Sequence, residues 1–252
     1  MSAEGPNGTR VQAVILLFAS SLTIMSGAAL AAALPALQDH FSGVANVEIL
    51  SRLVLTVPAL FIVATSPLAG FIVDRWGRKR ILLLTTALFC VGGTAGFFVD
   101  TLIDILISRA VLGIAVAGIM TASTTLIADY FTGESRNRLM GMQAAWMGLG
   151  GMVYVAAGGL LSDLNWRAPF LIYASAVIVI PFMIAAIHEP LAASSHHGSV
   201  DSSPTGRLPL GIAAAAYGLT FANMLAFFLI PVQLAFHLRD LLGTRHATIE
   251  LI

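Results

Sequence analysis

Residues 70–80 read GFIVDRWGRKR, a segment with one acid, two glycines and four basic residues at the end of a long apolar run. Asp74 lies where an apolar helix would leave a membrane. A carboxylate at a helix C-terminus opposes the helix dipole, so it needs a partner. Arg78 lies four residues further on, across a tight turn that Gly77 permits. Basic residues that only set membrane topology would explain the arginines and the lysine of this segment. They would not explain why an acid and two glycines are present as well.

The composition excludes most soluble proteins. The chain has 252 residues, of which 58% are hydrophobic and 10% charged, whereas soluble domains are about 45–50% apolar and about 25% charged. Thirteen basic residues balance thirteen acidic ones, so the charge does not point to a nucleic-acid partner. Cys90 is the single cysteine, which excludes a disulfide within the chain and a site built from several thiolates.

Seven apolar runs are long enough to cross a bilayer, since a spanning helix needs about 20 residues. None shows the alternation of a membrane β-barrel strand, and helices satisfy their own backbone polar groups in lipid. The sequence therefore predicts an all-α, polytopic helical membrane protein whose first partner is the lipid bilayer. The predicted spans are 14–37, 53–73, 81–99, 102–128, 139–161, 168–187 and 210–235.

The basic residues predict the orientation, because cytoplasmic loops are enriched in Lys and Arg. With the N-terminus in the cytoplasm, the predicted spans put eight basic residues on the inner side and four on the outer side. Half of the inner set lies between Arg75 and Arg80. We therefore expect a cytoplasmic N-terminus and place residues 70–80 in a cytoplasmic loop between the second and third spans.

The organisation follows from one polar segment. Residues 188–208 are rich in Ser, Gly, His and Pro, and cannot bury a core. The adjacent His196 and His197 in this segment are compatible with metal binding. We favour a solvated loop instead and expect no bound metal. The predicted units are a cytoplasmic N-terminus (1–13), a six-helix bundle (14–187), a cytoplasmic linker (188–208), and the first helix and tail of an incomplete second bundle (209–252).

The 70–80 segment closely resembles the signature loop of the major facilitator superfamily of transporters, G-x-x-x-D-R-x-G-R-[RK]. In that family the loop lies between helices two and three on the cytoplasmic side, which agrees with the span count. Every fixed position matches; the matching residues are Gly70, Asp74, Arg75, Gly77, Arg78 and Lys79.

Further segments resemble family elements in the expected order. Arg109 and Gly113 match R-x-x-x-G in the fourth helix, Arg136 and Arg138 match the loop R-x-R-x-x-G, and residues 166–170 match W-R-x-x-F. Two family patterns are missing. The Gly-Pro pair of the antiporter motif G-P-x-x-G-G is absent from the fifth span, and so is the P-E-S-P-R run of sugar porters after the sixth. The antiporter subclass is therefore open.

The resemblance implies the N-terminal half of a twelve-helix fold that moves a small solute by alternating access, with proton-coupled efflux as one form of it. It assigns Asp74 to the contact between the halves on the cytoplasmic face, and Arg78 to a salt bridge with Asp129 at the end of the fourth helix. Such a pair suits a gate with two discrete states. The alternative is that the pair only fastens loops together.

Four positions within the spans are candidates for substrate or proton coupling in addition to Gly113. Arg109 either extends outward to Asp104 or senses protonation or an anionic substrate, since a charge at depth needs a partner. Thr23 and Ser26 lie in the first span, which carries no acid, and Asn223 lies in the seventh. Hydroxyls in membrane helices often bond only to their own backbone.

Other functional classes fit less well. Seven-helix receptors have an external N-terminus, and a retinal pump needs a lysine in its last helix, whereas Lys79 is the only lysine. Intramembrane protease patterns and a phosphate-binding loop are absent. We therefore expect no enzyme, no catalytic residues, no cofactor, and transport driven by gradients across an inner or plasma membrane.

Length adds one expectation. A twelve-helix transporter needs roughly 400 residues, and this chain supplies seven spans. We therefore expect a truncated chain whose intact parent contains the missing C-terminal half. The alternatives are an inactive fragment, a dimeric half-transporter, which an odd number of spans disfavours, and a seven-helix membrane protein without transport activity.

Overall fold

The computed structural model describes residues 8–190 together with Gly211, Ala215, Gly218, Leu219 and Ala222. The chain divides into two compact units, Met1–Pro190 and Leu191–Ile252. The five described residues of the second unit are all helical. Most of the predicted linker, the seventh span as a whole, the His196–His197 pair and Asn223 lie outside the described residues.

All secondary-structure elements described for the first unit are helices. Its helices are α1 (Arg10–Ala31), α2 (Leu34–His40), α3 (Val47–Trp76), α4 (Arg78–Phe98), α5 (Leu102–Tyr130), α6 (Gly133–Leu164), a 3₁₀ helix (Ala168–Ser175) and α7 (Ala176–Ala186). Six segments of the described chain are long and apolar enough to cross a membrane. They correspond to the first six predicted spans.

Two predicted spans are not single α-helices. The first was predicted as one run to residue 37, but α1 ends at Ala31, and α2 begins anew with Pro35 in its first turn. Proline lacks an N–H donor and is favoured at a helix start, which explains the break. The sixth span begins as the 3₁₀ helix, with Pro169 in its first turn, and continues as α7.

Two other helices extend beyond their apolar runs. α3 begins at Val47 and α6 at Gly133, each six residues before the predicted span starts at 53 and 139. Hydropathy marks only the part that would lie in lipid, whereas a helix continues through the polar residues at its end.

α1 and α5 form the interior of the unit. α5 packs against α3 and α4, and α1 packs along α6. Close approaches occur at glycines: a Cβ at Gly113 would lie 2.5 Å from the Pro58 carbonyl oxygen, and one at Gly158 would lie 2.0 Å from that of Ala29. Small residues therefore let these helix backbones come together, as membrane helix packing requires.

Candidate functional site

A single glycine joins α3 to α4 at the signature loop. The Gly77 amide donates to the Val73 carbonyl oxygen at 3.1 Å, and its φ of +96° is a conformation that side chains disfavour. A Cβ here would also lie 2.8 Å from Glu189 Oε1. Gly77 is thus needed both for the turn and for the approach of an acidic side chain.

Arg78 lies between two acids. Its guanidinium is 3.9 Å from Asp74 Oδ1 on α3 and 3.3 Å from Asp129 Oδ2 near the end of α5. The side chains of Arg78 and Asp129 are 27% and 28% exposed, whereas Asp74 is 73% exposed. The contact with Asp129 is therefore the better shielded of the two, and water screens the one with Asp74 more strongly.

Sequence reasoning missed Glu189, which completes this cluster. Glu189 Oε1 accepts the backbone N–H of Arg78 at 2.6 Å, and Oε2 accepts that of Lys79 at 3.0 Å. The first turn of α4 contains no acid of its own. A carboxylate at this position satisfies free amides and faces the positive end of the helix dipole. The available signal was a lone acid directly after the sixth span.

The segment that carries Glu189 is fastened at several further points. The Tyr130 hydroxyl donates to the His188 carbonyl oxygen and accepts the His188 amide N–H. Lys79 Nζ donates to the Ile184 carbonyl oxygen at 3.0 Å, and Gln12 Nε2 donates to that of Ala186 at 3.1 Å. The end of α7 is therefore tied to α1, α4 and α5 around the signature loop.

The other loop positions make fewer contacts. A Cβ at Gly70 would meet no atom within 4 Å. Arg75, Arg136 and Arg138 are exposed and form no ion pair with any residue of the described chain. The structure thus brings together Asp74, Arg78, Lys79 and Asp129, and leaves the remaining predicted arginines at the surface.

Arg109 is fully buried and forms no ion pair with an acid of the described residues. Nη2 donates to the carbonyl oxygens of Gly93 at 2.8 Å and Gly92 at 3.3 Å. The guanidinium carbon lies 5.1 Å from the centre of the Phe170 ring and 4.8 Å from that of Tyr173. Carbonyl dipoles and ring faces thus surround the cation.

Asp104 serves a different purpose from the one considered for it. Its carboxylate accepts the Thr101 hydroxyl at 2.6 Å, and its amide donates to Thr101 Oγ1 at 3.1 Å. This reciprocal arrangement caps the start of α5. The structure therefore shows no pairing of Arg109 with Asp104.

The hydroxyls predicted in the first span bond within their own helix. Thr23 Oγ1 donates to the Ser20 carbonyl oxygen at 2.6 Å, and Ser26 Oγ donates to that of Thr23 at 2.8 Å. The Ser26 carbonyl oxygen accepts the Tyr173 hydroxyl at 2.9 Å, which links α1 to the aromatic side chains around Arg109. Across the part of the chain that is described, no group of three or more His, Cys, Asp or Glu is placed to hold a metal ion.

The chain is similar to proteins of one family. The family model described as Major Facilitator Superfamily matches residues 16–249. The Escherichia coli "Tetracycline resistance protein, class E" is 31% identical over 190 residues, which cover 73% of this chain and 44% of that protein. "Multidrug resistance protein 2" of Bacillus subtilis (strain 168) is 33% identical over 136 residues, which cover 53% of this chain and 34% of that protein.

Solved structures share the fold at low identity. A D-xylose-proton symporter matches with a TM-score of 0.63 and 14% identity, over 87% of this chain and 54% of that one. An inward-facing, unoccupied bacterial homologue of the human lysosomal transporter Spinster matches with a TM-score of 0.61 and 18% identity, over 81% and 47%. The chain thus spans about half the length of these structures, and less than half of the two curated relatives.

Proposed function

The chain belongs to the Major Facilitator Superfamily, and on that premise we propose that it supplies the N-terminal bundle of a secondary transporter that moves a small molecule by alternating access. The cluster of Asp74, Arg78, Asp129 and Glu189 carries this proposal. It joins the ends of three helices to the segment after the sixth span, where a change of state has to make or break contacts.

Arg78 is the centre of the proposed gate. Removing one partner of a charge pair in a partly dry site leaves the other charge unpaired, at a cost of about 3–5 kcal/mol when the pair is fully buried. Arg78 and Asp129 are only partly shielded, so their contribution is smaller. Asp74 is exposed and lies next to Arg78, so it is the acid that is free to exchange partners as the gate changes state.

The proposed substrate is a drug-like or metabolite molecule moved outward. Support comes from the names of the relatives, which include multidrug and tetracycline resistance proteins. Proton coupling is part of the proposal, although α1 contains no acid to carry the proton. We place the multi-pass chain in an inner or plasma membrane with its N-terminus in the cytoplasm, because the basic residues favour that orientation.

Transport by everted membrane vesicles tests the proposal. Vesicles that contain the transporter whose N-terminal bundle this chain supplies, energised with a proton gradient, should accumulate labelled tetracycline faster than vesicles without it. Asp74→Asn should lower the initial rate by about tenfold, equivalent to about 1.4 kcal/mol. Asp163→Asn removes another exposed acid and should have no effect. Equal uptake with and without that transporter, or full uptake by its Asp74→Asn variant, would contradict the proposal.

A further inference from the structure

An apolar groove of about 460 Å³ runs between α1 and α7. Seven apolar side chains line it, four of α1 between Val11 and Phe18 and three of α7 between Ile178 and Phe182. The four residues of α1 stand at positions i, i+3, i+4 and i+7, so they form one face of that helix. Ile15 is the buried member of this face and the others are exposed, so the groove opens to the outside of the unit.

Hydrogen bonds join the two spans on both sides of the groove. Near its first end, Gln12 Nε2 donates to the Ala186 carbonyl oxygen at 3.1 Å. Further along α1, the Ser26 carbonyl oxygen accepts the hydroxyl of Tyr173, which precedes α7 in the same span, at 2.9 Å. Most of the lining residues lie between these two bonds in both segments. The width of the groove is therefore set by the fold itself.

Arg10 is the one charged residue of the lining, and it begins α1. Its side chain is exposed and forms no ion pair with an acid of the described residues. The first turn of α1 contains no acid either. With the N-terminus in the cytoplasm, as proposed above, Arg10 lies at the level of the inner lipid headgroups. The groove thus combines an apolar channel with a cation at its headgroup end.

The dimensions of the groove fit a lipid chain better than a protein helix. From Arg10 to Phe18, α1 rises about 12 Å, and the hydrocarbon of one leaflet is about 15 Å thick. A helix is about 10 Å wide, so a 12 Å length of it needs roughly 900 Å³. That is about twice the volume present. A single acyl chain is narrower and matches the length of the groove.

Charge decides which lipid such a groove selects. Lipid tails are as apolar as leucine side chains, so an acyl chain gains little by moving from the bilayer into an apolar groove. A basic residue near the membrane surface, in contrast, favours an anionic lipid about fivefold. A guanidinium also matches the geometry of a phosphate group. Arg10 is therefore the residue that would give the groove its preference.

We propose that the groove between α1 and α7 binds a phospholipid with an anionic headgroup. One acyl chain lies against Val14, Ile15 and Phe182, and the headgroup phosphate contacts Arg10. A lipid bound in this way ties the cytoplasmic ends of the first and sixth spans to the inner leaflet. The inference goes beyond the proposed function and takes from it only the cytoplasmic N-terminus.

Photochemical cross-linking in lipid nanodiscs tests this site. The purified full chain is placed in nanodiscs of phosphatidylcholine that contain a trace of one of two probes. The probes are phosphatidylglycerol, which is anionic, and phosphatidylcholine, which is zwitterionic, and both carry the same photoreactive acyl chain. Cross-linked residues are identified by mass spectrometry. The phosphatidylglycerol probe should label residues 178–182 at least about fivefold more than the phosphatidylcholine probe does.

Matched variants separate the charge from the shape of the groove. Arg10→Gln should lower phosphatidylglycerol labelling of residues 178–182 about fivefold, whereas Arg10→Lys keeps the cation and should stay within about twofold. Arg80→Gln removes an exposed basic residue outside the groove and should have no effect. Val14→Trp fills the groove and should remove most labelling by both probes. Leu84→Trp adds the same side chain at an exposed position elsewhere and should not.

Three outcomes would overturn the inference. Equal labelling by the two probes would mean that ordinary bilayer lipid fills the groove. Unchanged labelling in Arg10→Gln would mean that the cation selects nothing. The absence of labelling by either probe would mean that another part of the chain or a protein partner covers the groove. Cross-linking needs no proton gradient, so each of these outcomes leaves the proposed transport function standing, and a failure of transport leaves the lipid site standing.

Discussion

The Glu189 carboxylate lies 2.6 Å from the backbone nitrogen of Arg78, a residue 111 positions earlier in the chain. Through this contact the end of the sixth span supplies the acid that the first turn of α4 lacks. The same arginine contacts Asp74 and Asp129 with its side chain, so backbone and side chain of one residue join three acids.

Removing this cap should destabilise the unit. Glu189→Ala takes away two acceptors from the start of α4, and losing a capping side chain costs about 1 kcal/mol. We expect a lower midpoint of thermal unfolding for the detergent-purified chain, followed by circular dichroism. Asp163→Asn, an acid with no ion pair to the described residues, should leave the midpoint unchanged. Equal midpoints for Glu189→Ala and the unaltered chain would show that the cap contributes no stability.

Gly77 should be intolerant of any side chain. Gly77→Ala combines an unfavourable φ of +96° with a Cβ only 2.8 Å from Glu189 Oε1, and such backbone strain costs about 1–3 kcal/mol. Gly70→Ala is the matched control in the same motif, because a Cβ there meets nothing within 4 Å. Thermal unfolding should rank Gly77→Ala clearly below Gly70→Ala. If both variants unfolded alike, the turn would not need a glycine.

Arg109 should stabilise the helix bundle through its shape as well as its charge. Arg109→Lys keeps the cation but loses the planar group that donates to Gly92 and Gly93 and faces two aromatic rings. Loss of cation–π and hydrogen-bond contacts in a buried site should cost about 1–2 kcal/mol in unfolding free energy. Arg138→Lys, at an exposed position, should be neutral. A neutral Arg109→Lys would mean that charge alone matters at this position.

The sequence predicted the membrane-spanning helices well, because each is marked by a local pattern of apolar residues. Apolar runs of about 20 residues indicate spanning helices by themselves, and the described chain has six helical segments where the first six runs lie. The break before Pro35 was also visible in the sequence, because proline favours a helix start, but hydropathy alone does not register it.

The site was less predictable, because its key contacts join distant segments. Glu189 reaches across to the amides of Arg78 and Lys79, and backbone groups leave no trace in a residue pattern. Arg109 was expected either to pair with Asp104 or to sense protonation or bind an anionic substrate, yet carbonyl oxygens and two aromatic rings surround it. The close approach of those rings depends on Gly93 and Gly96, where a Cβ would lie 2.3 Å from Tyr173 Cβ and 2.0 Å from Phe170 Cε1.

Exchanging the charges of Arg78 and Asp129 tests the proposed gate most directly. In the transporter whose N-terminal bundle this chain supplies, Arg78→Asp and Asp129→Arg should each abolish gradient-driven tetracycline uptake by vesicles. Each variant places like charges where an ion pair now lies at 3.3 Å. The double variant restores opposite charges and should recover at least about a tenth of the original rate, a deficit of about 1.4 kcal/mol. Transport by either single variant at the original rate, or a double variant as inactive as the singles, would contradict the gate.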